Sequence, residues 1–251
     1  MTSRSGRLEA VKRWWILGAL VLAIVAAVVV WLAFFRNTTT PVSAADLGFT
    51  GTAGDSPGDP GVYVYATTGF EEVDALGGAR HDYPDKTYLV VTDGPCGPVV
   101  RWQAIAERWD EAEHCGPDLS VTTSRGYHEW FGIPDLGTSS CTGRILPPPG
   151  ETTWTSVCQD GDMTSTDVAT LIGMETLDIG GTPVATMHIR VVGTTTGSTV
   201  GSTTTDEWRL PGTPLVVRRV VDDASSNASR IGDIHYVEQV TLQLESVIPT
   251  G

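Results

Sequence analysis

Five histidines (His81, His114, His128, His188 and His235) and four cysteines (Cys96, Cys115, Cys141 and Cys158) are the side chains of this 251-residue sequence that most readily do chemistry. Zinc needs closely spaced nitrogen or sulfur ligands, as in HExxH or paired CxxC. Neither pattern occurs: His128-Glu129 begins an HE pair with no second histidine one turn on. The histidines therefore read as ordinary hydrogen-bonded side chains. Asp160, Asp162, Thr164 and Asp167 alternate oxygen ligands as a calcium loop does, without the glycine and terminal glutamate of an EF-hand. No GxSxG elbow or SxxK pair presents a nucleophile. The glycine pairs Gly77-Gly78 and Gly180-Gly181 read as turns, not phosphate loops. The expectation is a non-enzymatic protein with no cofactor and no metal.

The cysteines have a different use. A chain exported to an oxidising compartment pairs its cysteines, and four allow three connectivities. Pairing Cys141 with Cys158 centres a hairpin on Pro147-Pro148-Pro149-Gly150, a turn-forming apex, and sets Ile145 opposite Trp154. Pairing Cys96 with Cys115 sets Trp102 opposite Trp109 and Arg101 opposite Asp110. Its apex, Ile105-Ala106, is a poor two-residue turn, so a wider loop, a bulge or a helical turn is expected there. Sequential pairing is the expectation.

Aromatic residues concentrate between Tyr63 and Phe131. Core filling is their commonest use. The sharper reading is an apolar groove on the concave face of a curved sheet, built from Tyr63, Tyr65, Trp102, Trp109, Tyr127, Trp130 and Phe131, where a lipid chain could bind.

The elements that must position these residues are strands. Beyond Pro60 the sequence alternates with period two between Gly, Pro, Asn and Asp breaks. Ile234, Tyr236, Val240, Leu242 and Leu244 share one face of a last strand, with His235, Gln239, Thr241, Gln243 and Glu245 on the wet face. In 183–192 the odd positions are apolar, with His188 and Arg190 pointing the other way; 62–68, 86–93 and 215–221 also read as strands. Short helical turns fit 105–109 and 127–131.

Residues 14–35 form an uncharged, proline-free run of 22 residues. As a helix it spans about 33 Å, enough for a hydrocarbon core, with Trp14, Trp15 and Trp31 near its ends. Arg4, Arg7, Lys12 and Arg13 precede it and put a short tail, 1–13, in the cytoplasm and the rest outside. The rival is a cleaved signal peptide ending at Val42-Ser43-Ala44, whose apolar region would be unusually long. Residues 36–60, rich in Thr, Gly, Ser, Pro and Asp, read as a flexible spacer reaching about 25–30 Å, with Leu47 and Phe49 tucked onto the domain as the alternative. Residues 61–251 make one extracytoplasmic domain.

The whole chain carries a formal −14, and residues 1–36 are net +4, leaving −18 outside. Nucleic acid is excluded as a partner, since binding it needs basic surface. Anionic headgroups repel such a domain within about 8–10 Å, so it is expected to stand off the membrane.

TDEWRLPGTPLVVRRVVD (205–222) resembles a strand-turn-strand of the LolA-like lipoprotein-sorting superfamily, with Trp208, Gly212, Leu215 and Arg218 at comparable places and Val216 where a proline is expected. GVYVYATTGFEEVDALGGARHDYP (61–84) followed by RWDEAEHC resembles single-pass, membrane-anchored envelope proteins of actinobacteria, which carry no assigned activity. The first resemblance implies a mainly β domain built on a curved, half-barrel-like antiparallel sheet that shields acyl chains. Two readings follow. One is a membrane-tethered cell-envelope module that binds a lipid or other apolar ligand. The other is a protein-interaction or structural domain with a filled core, meeting another envelope protein.

Overall fold

The computed structural model describes residues 20–29, 39–229 and 232–251. Thirteen antiparallel strands follow in chain order: β1 (Gly61–Val73), β2 (Ala79–Asp82), β3 (Lys86–Asp93), β4 (Pro98–Ile105), β5 (Arg108–Cys115), β6 (Ser120–Trp130) and β7 (Ile133–Thr142). Then come β8 (Thr153–Asp160), β9 (Met163–Ile179), β10 (Thr182–Thr196), β11 (Thr199–Arg209), β12 (Val216–Ser229) and β13 (Gly232–Leu244). Each pairs with its sequence neighbour, except that β3 skips β2 to pair with β1.

The expected half-barrel is corrected to a closed barrel. β1 accepts β13 along residues 65–73 on one edge, while β3 and then β2 share its other edge, so the ring has twelve positions. Closure removes the unpaired edges that an open sheet would have to protect. It demands close approach at Gly69 (φ 138°), where a Cβ would lie 2.1 Å from the carbonyl oxygen of Gln239. Bulges at Gln103/Ile105, Glu113/His114, His188/Ile189 and Trp208/Arg209 supply local bending.

Strand alternation fills the interior. On β13 the expected inward residues Val240, Leu242 and Leu244 are buried and Ile234 and Tyr236 half-buried, and Glu238 joins the buried set. On β10 the expected odd face holds for Ile189 and Val191, whereas Pro183 and Ala185 are exposed and Val184 and Thr186 buried, because the buried face changes at the His188/Ile189 bulge. One apolar cluster gathers Tyr63, Tyr65, Val91, Leu215, Val217 and Leu244, with Ile179 and Val184 from the tip of the β9–β10 hairpin. A smaller one joins Trp154, Ala169 and Ile189.

Both disulfides are sequential, Cys96–Cys115 and Cys141–Cys158. Cys141 faces Cys158 in the expected register, but that ladder has only three residue pairs, 140–142 with 157–159, so Ile145 and Trp154 are not a strand pair. The β4–β5 register differs by one residue from expectation. Gln103 faces Trp109 and Trp102 faces Asp110, since the bulge precedes a turn at Ala106-Glu107. A one-residue slip exchanges faces: Trp102 is buried inside, and Trp109 stacks on Tyr127 outside. Strand and turn also replace the helical turns expected at 105–109 and 127–131.

Among the described residues no helix is long and apolar enough to cross a membrane. Of the expected span, residues 20–29 are helical and exposed, while 14–19 and 30–35 lie outside the described residues, as does the tail 1–13. Past the span, Thr40 gives its backbone N–H (2.9 Å) and hydroxyl to the buried Glu107 carboxylate and accepts the Ala106 N–H. Leu47 and Phe49 are half-buried.

The Cys141–Cys158 bond holds the shortest ladder of the ring. Replacing both cysteines by serine opens a loop with a sequence separation of 17 and should cost about 3 kcal/mol in urea unfolding. Hydrogen exchange should quicken first at Ser140 and Thr142.

Candidate functional site: the barrel lumen

Two polar layers sit inside the barrel. The first plugs the end that carries the β4–β5 and β6–β7 turns. Because β1 and β13 pair directly, Glu71 lies opposite Glu238, two carboxylates on neighbouring inward positions. Like charges so placed repel, and Arg108 of β5 relieves it. Its guanidinium stands 3.5 Å from Glu71, 3.2 Å from Glu238 and 2.7 Å from Asp110. His81 and His128 each turn Nδ1 to one oxygen of Glu71, at 2.7 and 3.0 Å, and the Tyr236 hydroxyl donates to it at 3.0 Å. Tyr83 donates to Glu238, and Trp130 stacks on His81 with ring centroids 4.2 Å apart.

Burial alone would push the Glu71 pKa up. The bonds from His128 and His81, then the Arg108 charge, outweigh it and bring it down to about 2. Burial likewise opposes the Arg108 cation, yet Asp110 and Glu238 hold its pKa well above the ordinary value. Burial and the nearby Glu238 charge drive the Tyr83 and Tyr236 phenols up, so both stay protonated donors. At neutral pH Glu71 and Arg108 are therefore both charged, and they face one another across 3.5 Å.

Beyond the plug lies a cavity of about 400 Å³. Leu89, Val100, Trp102, Trp154, Ala169, Ile189 and Val191 give it apolar wall; His114, Asp167, Glu207, Arg209 and Arg219 give it a polar one. The volume falls in the range of about 300–1,000 Å³ usual for small-molecule sites. Glu207 is bridged to Arg209 at 2.6 Å and Arg219 at 3.3 Å. These two cations overcome the burial penalty and lower its pKa. Burial, then the Glu207 charge, raises that of Asp167. His114 is buried against this wall, and its Nδ1 has no hydrogen-bond partner among the described residues. Burial, then Arg209, drops its pKa to about 4, so it lines the cavity as a neutral imidazole.

The seven aromatic residues expected to form a groove do not come together. Tyr63, Tyr65 and Trp102 pack in the main core, and only Trp102 also lines the cavity. Trp109 and Tyr127 stack on the outer face under Arg101, Trp130 belongs to the plug, and Phe131 occupies a turn at φ 57°. Of the resemblance-bearing residues, Trp208 stacks between His188 and Arg218 outside, Gly212 turns the chain at φ 75°, and Leu215 is fully buried. His188 and His235 bond to carboxylates, as ordinary histidines do; His114 is the one that departs from that reading.

Glu71, Arg108, Glu238 and the wall around Glu207 went unnoticed in the sequence. A signal existed. Glu238 interrupts the apolar face between Tyr236 and Val240, and Glu71 continues the inward set Tyr63, Tyr65 and Thr67.

No family model matches the chain, and no curated protein matches it. Among solved structures it is similar to the hypothetical lipoprotein YmcC from Escherichia coli (K12), at 12% identity over 82% of this chain and 100% of that one, with a TM-score of 0.36. A likeness of that degree bears on no functional question here.

His114 carries a signed pH dependence. The unfolded imidazole takes a proton below about pH 6.5 and the folded one only near 4. Stability present at neutral pH is therefore lost as pH falls from about 6.5 to 4, by up to about 3 kcal/mol. His114→Phe should flatten that limb in urea titrations at pH 7, 5.5 and 4. Glu71 imposes a second loss, between about 4.5 and 2, that this variant retains.

Proposed function

We propose that this protein is a non-enzymatic, membrane-tethered module of the cell envelope, outside an actinobacterial cytoplasmic membrane, whose barrel lumen holds a lipid or other largely apolar ligand. The carrying observation is the cavity with its two chemistries, an aromatic and aliphatic wall facing a polar one. The apolar side suits a hydrocarbon body. The neutral His114, which lines the polar wall, suits a hydrogen-bonding group at one end of the ligand. A non-enzymatic role is supported by the way the interior acids and bases neutralise one another around Arg108 and Glu207. The tether rests on the uncharged run 14–35.

The filled-core reading has its own support: the apolar cluster around Tyr65 and Leu215 is closely packed, and the plug fills one end of the lumen. The two differ in what the cavity contains.

Native mass spectrometry of the full-length chain, purified from its native host in mild detergent, separates them. A stoichiometric apolar adduct is expected. Ala169→Trp, which fills the cavity from β9, should lower its occupancy at least tenfold while the far-ultraviolet spectrum stays that of a β protein. A bare mass for the wild-type chain would favour the filled-core domain.

A further inference from the structure

We infer that the plugged end of the barrel is a membrane-contact surface, held against the bilayer by the Thr40–Glu107 clamp, with the lumen cavity on its far side. This rests on the tether in the preceding reading and goes beyond it to the orientation of the barrel.

The clamp fixes a distance. Glu107 sits in the β4–β5 turn, its carboxylate nine-tenths buried, and takes both donors of Thr40 while the Ala106 N–H returns a bond to the Thr40 carbonyl. The same turn holds the end of β6 through the Glu129 N–H to the Glu107 carbonyl. The uncharged run ends at residue 35, and Arg36 follows. Four residues from 36 to 40 reach at most about 14 Å when fully extended. The β4–β5 turn is therefore confined to the headgroup region or just above it. A spacer of 25 residues that lets the domain stand off does not operate, because the chain is captured at Thr40. The acidic domain is repelled by anionic headgroups over about 8–10 Å, and the clamp acts against that repulsion.

A second observation concerns the side chains at this end. Among the described residues three non-glycine residues have left-handed backbone, Leu76 (φ 53°) and Phe131 (φ 57°) at this end and Leu119 (φ 51°) at the other. A large apolar residue there costs about 1–2 kcal/mol that Gly or Asn would not. Leu119 recovers it by burial at the opposite end. Leu76, in the β1–β2 turn, is 55% exposed, and Ile133, the first residue of β7 and two beyond Phe131, is 65% exposed. Strain that puts leucine into water has no return within the barrel. It has one where apolar side chains meet a lipid interface.

The cavity fits the same orientation. The loop residues that line it, Arg144, Ile145 and Pro214, all come from the far end, and among the described residues the turns of the plugged end contribute none. Between cavity and bilayer stands the charged layer of Glu71, Arg108 and Glu238.

All four native cysteines are bonded, so one introduced cysteine is a unique labelling site. The full-length chain is placed in phosphatidylethanolamine–phosphatidylglycerol nanodiscs with a nitroxide at Leu76→Cys, Ile133→Cys or Glu151→Cys in turn. Power saturation then compares contact with lipid-soluble oxygen and with a water-soluble nickel chelate. The oxygen-to-nickel ratio should be at least threefold higher at positions 76 and 133 than at 151. Thr40→Pro removes both donors of the clamp without touching the barrel and should bring the three ratios together. Equal ratios in the wild-type chain, a higher ratio at 151, or a contrast that survives Thr40→Pro would overturn the inference. Flotation with vesicles of the same lipids separates the two possible failures: a chain that does not float defeats the tether itself, whereas one that floats without contrast defeats the orientation alone.

Discussion

Closing β1 onto β13 is the constraint from which the interior follows. Closure sets the register, and the register places Glu71 directly across from Glu238 on inward-facing positions. Two carboxylates there cannot both ionise in a dry interior without a cation between them. Arg108 reaches that place because the β4–β5 bulge and the short Ala106-Glu107 turn bring the first residue of β5 inward. The two histidines and two tyrosines then satisfy the remaining carboxylate oxygens. Removing any one partner would leave a buried charge exposed to low dielectric, which is why the layer behaves as a unit.

The ring is uneven. The long hairpins β9–β10 and β12–β13 pair along nearly their whole length, while β7 and β8 share three residue pairs. A covalent bond sits in that thin ladder, at the one place where backbone hydrogen bonding is sparse. The β9–β10 hairpin extends past its neighbours and bends at the His188/Ile189 bulge, so Ile179 and Val184 reach the main core. Gly180 at its tip lies against Glu245, where a Cβ would come 2.8 Å from the carbonyl oxygen. The cavity is thus bordered by apolar packing at one end and by ionic pairing at the other.

How much was legible in the sequence depended on how local the cause was. Alternation over a few residues gave β3 its bounds, 86–93, and gave β13 its buried face. The turn-forming Pro-Pro-Pro-Gly apex correctly set Cys141 against Cys158. A single bulge near Ile105 defeated the same arithmetic for β4 and β5, because one extra residue exchanges every inward and outward position. That slip is also why the aromatic groove dissolved: Trp102 and Trp109 lie on opposite faces of the wall. Closure itself had no local signature, since Tyr65 and Leu244 are distant in the chain. The polar interior was visible only as acids on apolar stripes, which are easily taken for interruptions of a strand.

Those acids bear on what the lumen can hold. Buried ion pairs seldom stabilise a protein more than well-packed hydrophobic residues of similar volume would. A barrel that needed only a core could have filled the Glu71–Arg108–Glu238 layer with leucine and valine. The charged layer differs from such a filling in one respect that matters to a ligand. An apolar chain that entered it would strip hydrogen bonds from buried carboxylates and a buried guanidinium. The layer therefore ends the apolar part of the lumen at a defined depth, near Trp102 and Asp110. On the opposite wall, Glu207 is held between Arg209 and Arg219 by the same logic, but His114 beside it keeps one nitrogen unpaired. The neutral imidazole beside that ion pair is a polar group of the cavity wall that carries no formal charge.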